Sequence, residues 1–151
     1  MTVETERLRI RIASIEEMEK YIGAQTDEEL KIAYGEMLKG CCDHPEQTMW
    51  YAIWMIELGD GVHIGDLSFK GLAPDGSVEI GYGISEEHRG NGYAAEAVGA
   101  MVKFALEQPY VVRVEAETDP DNAASQRVLE KCGFVPTGTF GEEGPRFVKT
   151  R

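Results

Sequence analysis

"VEIGYGISEEHRGNGYAAEAV", residues 78–98, is the stretch on which the fold turns. Its opening residues alternate in character. Val78, Ile80, Tyr82 and Ile84 share one face of a strand; Glu79, Gly81 and Gly83 share the other. That second face is nearly bare backbone beside one carboxylate. Glycine weakens a strand interior, so its use here points to close approach by a ligand or by a crossing helix. Downstream, Gly90 and Gly92 lie in a charged turn that runs into an alanine-rich helix. The first amides of a helix lack intrahelical partners, and the helix dipole adds positive potential there. The amides of Arg89, Gly90, Asn91, Gly92, Tyr93 and Ala94 therefore read as an anion site, with the glycines admitting a bulky diphosphate.

Working outward, "ERLRIRIA" alternates and puts Leu8, Ile10 and Ile12 on one face of a first strand. Ser14, with Glu17 three residues on, reads as a capping box. Helices are expected over 14–24 and 27–40, with Gly40 ending the second. "MWYAIWMIEL" reads as a buried strand, and "VHIGDLSFKG" as the next, with a bulge at Gly65 where the apolar parity switches. "PDGS" is a turn into the strand quoted above. The glycine turn opens a helix over about 93–107, with Ala94, Ala97, Val98, Met101 and Ala105 as its apolar stripe. "YVVRVEAET" follows as a strand, "DPDN" caps a helix over 123–131, and Gly133 stops it. "FVPTGTF" and "RFVKT" close the chain as a hairpin whose edge would allow a homodimer; a monomer fits equally. The expected class is α/β (α+β), a mixed, mostly antiparallel twisted sheet in the order β-α-α-β-β-β-α-β-α-β-β, with helices on both faces. No repeat or linker interrupts residues 1–151, so one domain is expected.

The formal net charge of −12 argues against nucleic-acid binding and favours a cationic partner such as an amine. No apolar run approaches the roughly 20 residues of a membrane span, and the N-terminus lacks a signal-peptide pattern. Three cysteines do not make a disulfide framework. The cytoplasm is the expected compartment. Cys41, Cys42 and His44 cluster, but adjacent cysteines chelate one ion poorly, so no metal site is expected.

Two familiar phosphate motifs can be tested. The P-loop is absent. Gly90, Gly92 and Ala95, with Glu115 about twenty residues on, imitate a dinucleotide fingerprint. However, Ser85 to Arg89 separate the strand end from the first glycine, whereas that fingerprint starts almost at once.

"RGNGYA" matches an R/Q-x-x-G-x-G/A pattern at Arg89, Gly92 and Ala94, and "DPDNAASQRVLEKCGF" matches N-x-x-S-x-x-x-L-E-K-x-G-F at residues 122–134. In both blocks the chain resembles the GNAT (GCN5-related) N-acetyltransferases, nearest to their RimJ/RimL-like branch, which acetylates ribosomal-protein N-termini. The resemblance implies acetyl-CoA as cofactor. It puts the pyrophosphate on the amides of Arg89 to Ala94, and the pantetheine arm beside Tyr82, Gly83 and Ile84. Asn122 would contact the cofactor near its thiol end, besides capping a helix. The resemblance also leaves Arg89 and Arg127 as candidates to reach the phosphates, with a solvated side chain as the equal alternative for each. The implied reaction is transfer of acetyl to a primary amine: a protein N-terminus, a polyamine or another small amine.

Such chemistry needs a base, a polarised thioester and a proton for the departing thiolate. Glu79 is the first candidate base, on the expectation that a hydrophobic cleft raises its pKa; Glu115 is the second. Many members carry a tyrosine where this chain has Leu129, and Ser125, one turn earlier, is the candidate proton donor. The other readings are a non-catalytic acyl-CoA-binding or sensor module, which would keep the glycine turn without a base, and a nucleotide-linked oxidoreductase.

Overall fold

A computed structural model describes residues 1–151. Strand β2 (Leu8–Ile12) buries Leu8 and Ile10 and pairs antiparallel with β1 (Thr2–Glu4), a short strand too polar to show alternation. Ser14 caps α1 (Ile15–Gly23): its hydroxyl accepts from the Glu17 amide while Glu17 returns a bond to the cap. Asp27 caps α2 (Glu28–Asp43). This helix does not stop at Gly40, as expected, but runs on to Asp43. Gly40 serves packing instead, since a Cβ there would come within 2.5 Å of the Tyr51 ring. The apolar strand also begins later than expected. Thr48–Tyr51 form a short helix, α3, and only Trp54–Leu58 are extended, as β3.

Strand β4 (His63–Ser68) carries the expected bulge, one residue earlier than Gly65. Ile56 faces Gly65 and Glu57 faces His63, so Ile64 is the extra residue. Gly65 is needed for closeness, because a Cβ would run into the Gly83 carbonyl. The largest departure follows. The single strand expected over "VEIGYGIS", residues 78–85, is broken at Ile80 into β5 (Ser77–Glu79) and β6 (Gly81–Ile84). After a 3-10 turn at Glu86–His88 come α4 (Tyr93–Leu106), β7 (Arg113–Glu117), α5 (Ala123–Lys131), β8 (Val135–Phe140) and β9 (Pro145–Thr150).

The break divides the strands between two sheets, ordered β1-β2-β3-β4-β6 and β5-β7-β9-β8. Only β5 and β7 run parallel. Helix α4 packs on β1, β2, β6 and β7 and so bridges both sheets. Its Val98 and Met101 join Ile10, Trp54, Leu67 and Val114 in the main core. Helices α1 and α2 cover the opposite face, where Met18, Tyr34 and Cys41 pack with Ile53 and Met55. The expected fold class and element order therefore stand, with β1 and α3 added. Strand β8 is an edge strand exposed along its whole length. No helix is long and apolar enough to cross a membrane.

Candidate active site

The two sheets part between β6 and β7. Ile80 N still donates to Glu115 O across that gap, while Ser85 N donates to Ile64 O on the β4 side. Backbone groups alternate along a strand, so Tyr82 and Ile84 aim their N–H groups at the open side. Gly83 aims its own at β4, where it faces Asp66. The Ile84 carbonyl is already taken by Arg89 Nε at 3.0 Å. The free main-chain groups are thus narrower than the stretch Tyr82–Gly83–Ile84: they are the Tyr82 and Ile84 amides and the Tyr82 carbonyl.

The splay opens into a cleft of about 570 Å³ headed by the glycine turn. Gly92 is the N-cap of α4 at φ 80°, with no side-chain cap, and Gly90 lies at φ 79°. The amides of Gly90 to Ala95 donate to nothing within the protein. Arg89 is the exception to the expected row, since its amide donates to Glu86 O at 3.3 Å. Five of these unpaired residues, Gly90, Gly92, Tyr93, Ala94 and Ala95, line the cleft. His88, Arg89, Arg127 and Lys131 line it too, and no carboxylate does. In a chain of net charge −12, unpaired amides beside cationic side chains make a cleft suited to an anion.

The turn is held from outside by residues just before β2. Arg7 Nε meets Glu96 Oε1 at 2.7 Å, and Arg7 Nη1 donates to the Asn91 carbonyl at 2.9 Å. The Arg7 guanidinium also lies 4.5 Å over the Tyr93 ring, and Thr5 Oγ1 donates to Glu96. This clasp fixes the Asn91 peptide and the first turn of α4 before any anion arrives, which lowers the ordering cost of binding.

At the far end of the cleft, Tyr82 Oη and Ser125 Oγ are 2.8 Å apart. Asn122 caps α5 by accepting from Ser125 N at 3.0 Å, which leaves the Ser125 hydroxyl free to face β6. Burial raises the Tyr82 pKa and the hydrogen bond to Ser125 opposes part of that rise. Leu129 is fully buried core. The phenol that meets Ser125 comes instead from strand β6, as Tyr82. The lack of a tyrosine at 129 was the one signal in the sequence that another hydroxyl had to be sought.

A second cavity, a groove of about 630 Å³, lies on the α1–α2 face and shares Tyr82, Gly83, Ile84, Asn122 and Ser125 with the cleft. Asp66, Glu117, Asp119 and Glu143 line it. Lys70 lines it too, but is paired with Glu79 at 3.0 Å. Thr118 Oγ1, beside the groove, is buried without a partner.

The two expected base candidates are not brought here. Glu79 and Glu115 line a separate cavity with Tyr51, Lys70 and Arg146. Arg146 Nη2 holds Glu79 at 2.8 Å and Glu115 at 3.1 Å, while its Nη1 holds Glu117 at 2.6 Å. Burial pushes the Glu79 carboxyl up, but hydrogen bonds and charge from Arg146 and Lys70 outweigh it and leave its pKa lowered. That is opposite in direction to the expectation. The sequence showed the glycine face beside Glu79 but not the guanidinium folded back from β9.

The clamp makes a stability prediction. A carboxyl whose folded pKa is lowered stabilises the protein above its unfolded pKa, near 4.5, and loses that contribution as pH falls below it. Arg146→Ala is expected to cost about 2 kcal/mol at neutral pH, between the values for exposed and buried pairs. In urea unfolding, the deficit should shrink between neutral pH and an acid pH below the lowered Glu79 pKa, where the wild type has lost the same contribution. An equal deficit at both pH values would show that Arg146 acts by packing alone.

Comparison with known proteins agrees with this architecture. A family model described as an acetyltransferase (GNAT) domain matches residues 2–135. The uncharacterised N-acetyltransferase YoaA of Bacillus subtilis (strain 168) is 30% identical over 150 residues, covering 91% of this chain and 85% of YoaA. YjdG from the same strain, also an uncharacterised N-acetyltransferase, is 37% identical over 91 residues, covering 58% of this chain and 54% of YjdG. That alignment thus spans about half of the relative. Among solved structures, the RimL ribosomal L7/L12 α-N-protein acetyltransferase in complex with coenzyme A has a TM-score of 0.77 at 14% identity, covering 99% of this chain and 98% of RimL. Vibrio cholerae spermidine N-acetyltransferase in complex with coenzyme A and spermine has a TM-score of 0.75 at 15% identity, covering 97% and 96%. At those identities the likeness is one of fold. The chain belongs to the GNAT family of N-acetyltransferases. The dinucleotide reading of Gly90, Gly92 and Ala95 falls away, and the Glu115 it required is held by Arg113 and Arg146.

Proposed function

We propose that this chain transfers acetyl from acetyl-CoA to a primary amine by direct attack in a ternary complex. One observation carries the reading: a basic cleft headed by unpaired amides meets an acidic groove, and the two join at Tyr82 and Ser125. The cleft suits the coenzyme's phosphates and the groove suits an amine.

Acetyl-CoA supplies an acyl carbon, activated as a thioester, for attack by a neutral amine. The Gly90 to Ala95 amides, with Arg89, Arg127 and Lys131, would hold the phosphates. The Tyr82 and Ile84 amides offer donors to the pantetheine arm and to the charge that develops on the acyl oxygen. Asn122 lines both cavities and would contact the cofactor where they join. Ser125 Oγ would give its proton to the departing sulfur and be resupplied by Tyr82 Oη. Glu79 and Glu115 are each bound to cations in a separate cavity, away from where the cleft and groove join. Deprotonation of the incoming ammonium is assigned to water at the groove mouth.

The acceptor would be drawn from protein N-termini, polyamines and other small amines. Three free cysteines support action in the cytoplasm. The test is acetyl-CoA-dependent thiol release over a panel of amines, beside calorimetric binding of acetyl-CoA. Release that requires an amine is expected. Tight acetyl-CoA binding with no amine-dependent release would instead make the chain a non-catalytic acyl-CoA module.

A further inference from the structure

The groove holds a second recognition element, and the inference from it rests on the transferase reading above. Asp66, on β4, faces Gly83 on β6. Tyr21 from α1 and Tyr34 from α2 both donate to Asp66 Oδ2, each at 2.8 Å. Oδ1 receives no bond, and no cation is paired with this carboxylate. The two phenol rings lie 5.2 Å apart, and His63 meets Tyr21 edge-on at 5.6 Å. Three elements thus converge to hold one carboxylate with one oxygen open, beside aromatic rings. That combination of anion and π faces recognises an ammonium.

The placement decides which ammonium. Nothing lies within 4 Å of where a Gly83 Cβ would be, so the groove is clear between Asp66 and the β6 edge. The nitrogen that attacks a thioester must be neutral, because an ammonium has no lone pair. A charged nitrogen held by Asp66 is therefore a different nitrogen of the same acceptor. The sign of the groove agrees: Asp119 and Glu143 line it with no cation paired to them, and its one lysine is taken by Glu79.

The geometry points to Asp66, positioned by Tyr21 and Tyr34, as the anchor for a second, non-reacting ammonium of the acceptor. The acceptor is then a linear amine with at least two nitrogens joined by an alkyl chain. Asp66 sets specificity and does not move the reacting proton.

The test uses the full chain with acetyl-CoA and two probes, 1,4-diaminobutane and n-butylamine. A charge-assisted hydrogen bond predicts a preference of about 30-fold in kcat/KM for the diamine. Asp66→Asn is expected to raise KM for the diamine about 30-fold, with kcat within about threefold and butylamine kinetics unchanged. Tyr34→Phe, which keeps the ring, should raise the same KM about fivefold. Unchanged butylamine kinetics in both variants would show that they fold. Equal efficiency on the two probes in the wild type overturns the anchor. So does Asp66→Asn lowering kcat alike for both amines and removing the acid limb of the pH profile, which would make Asp66 the base. So too does activity confined to peptide N-termini and indifferent to Asp66. Thiol release with any amine keeps the transferase reading standing, so the two failures are distinguishable.

Discussion

Gly92→Val is expected to weaken acetyl-CoA binding about 100-fold, measured by calorimetry, with the fold retained. The reason is backbone geometry rather than space. At φ 80°, Gly92 occupies the left-handed region, where a β-branched residue is strained. A Cβ there would meet only Arg7 Nη2, at 3.4 Å. Valine would relieve the strain by rotating toward negative φ, which swings the amides that head the cleft. Charge-assisted hydrogen bonds to an anion contribute about 1.5–3 kcal/mol each, so losing two of them is enough for a 100-fold change. Retained affinity would mean that the unpaired amides of Gly90 to Ala95 do not hold the cofactor, and the functional reading would fall with them.

The second large effect concerns the hydroxyl pair. Tyr82→Phe and Ser125→Ala together are expected to lower kcat about 100-fold, while acetyl-CoA affinity stays within about threefold. The oxygens are 2.8 Å apart and would act as one relay. Either single substitution should therefore cost nearly as much as both, which is the signature of residues acting as a unit. The sign of the pH dependence follows from Tyr82, whose pKa burial raises above its ordinary value near 10. The phenol stays protonated through neutral and mildly alkaline pH, so kcat should show no alkaline decline below about pH 10. An unchanged kcat in the double variant would assign the thiolate's proton to water.

Local chemistry was legible without coordinates. Ser14 and Glu17 form the box their spacing announced, and the glycine turn leads into α4 where expected, with Gly92 as its N-cap. Asn122 caps α5, and Gly133 leaves it at φ 87°. The amide row proposed for the cofactor belongs to this group. Its amides are unpaired because a helix begins there, and residues within one turn of each other decide that.

What only the tertiary structure decided lies across long chain separations. Glu79 adjoins the glycine-bearing strand in sequence, yet its chemistry is set by Arg146, 67 residues away. Ser125 could have been a plain capping residue; Tyr82, 43 residues before it, makes it half of a hydroxyl pair. Asp66 was one acidic residue in a strand until α1 and α2 laid two phenols on it. Even the break at Ile80 depends on β4 and β7 drawing the two halves of one strand apart. Caps and turns are resolved by neighbours that the chain itself supplies. A carboxylate's proton affinity and a hydroxyl's partner are resolved by whatever folding brings within about 3 Å, the reach of a hydrogen bond.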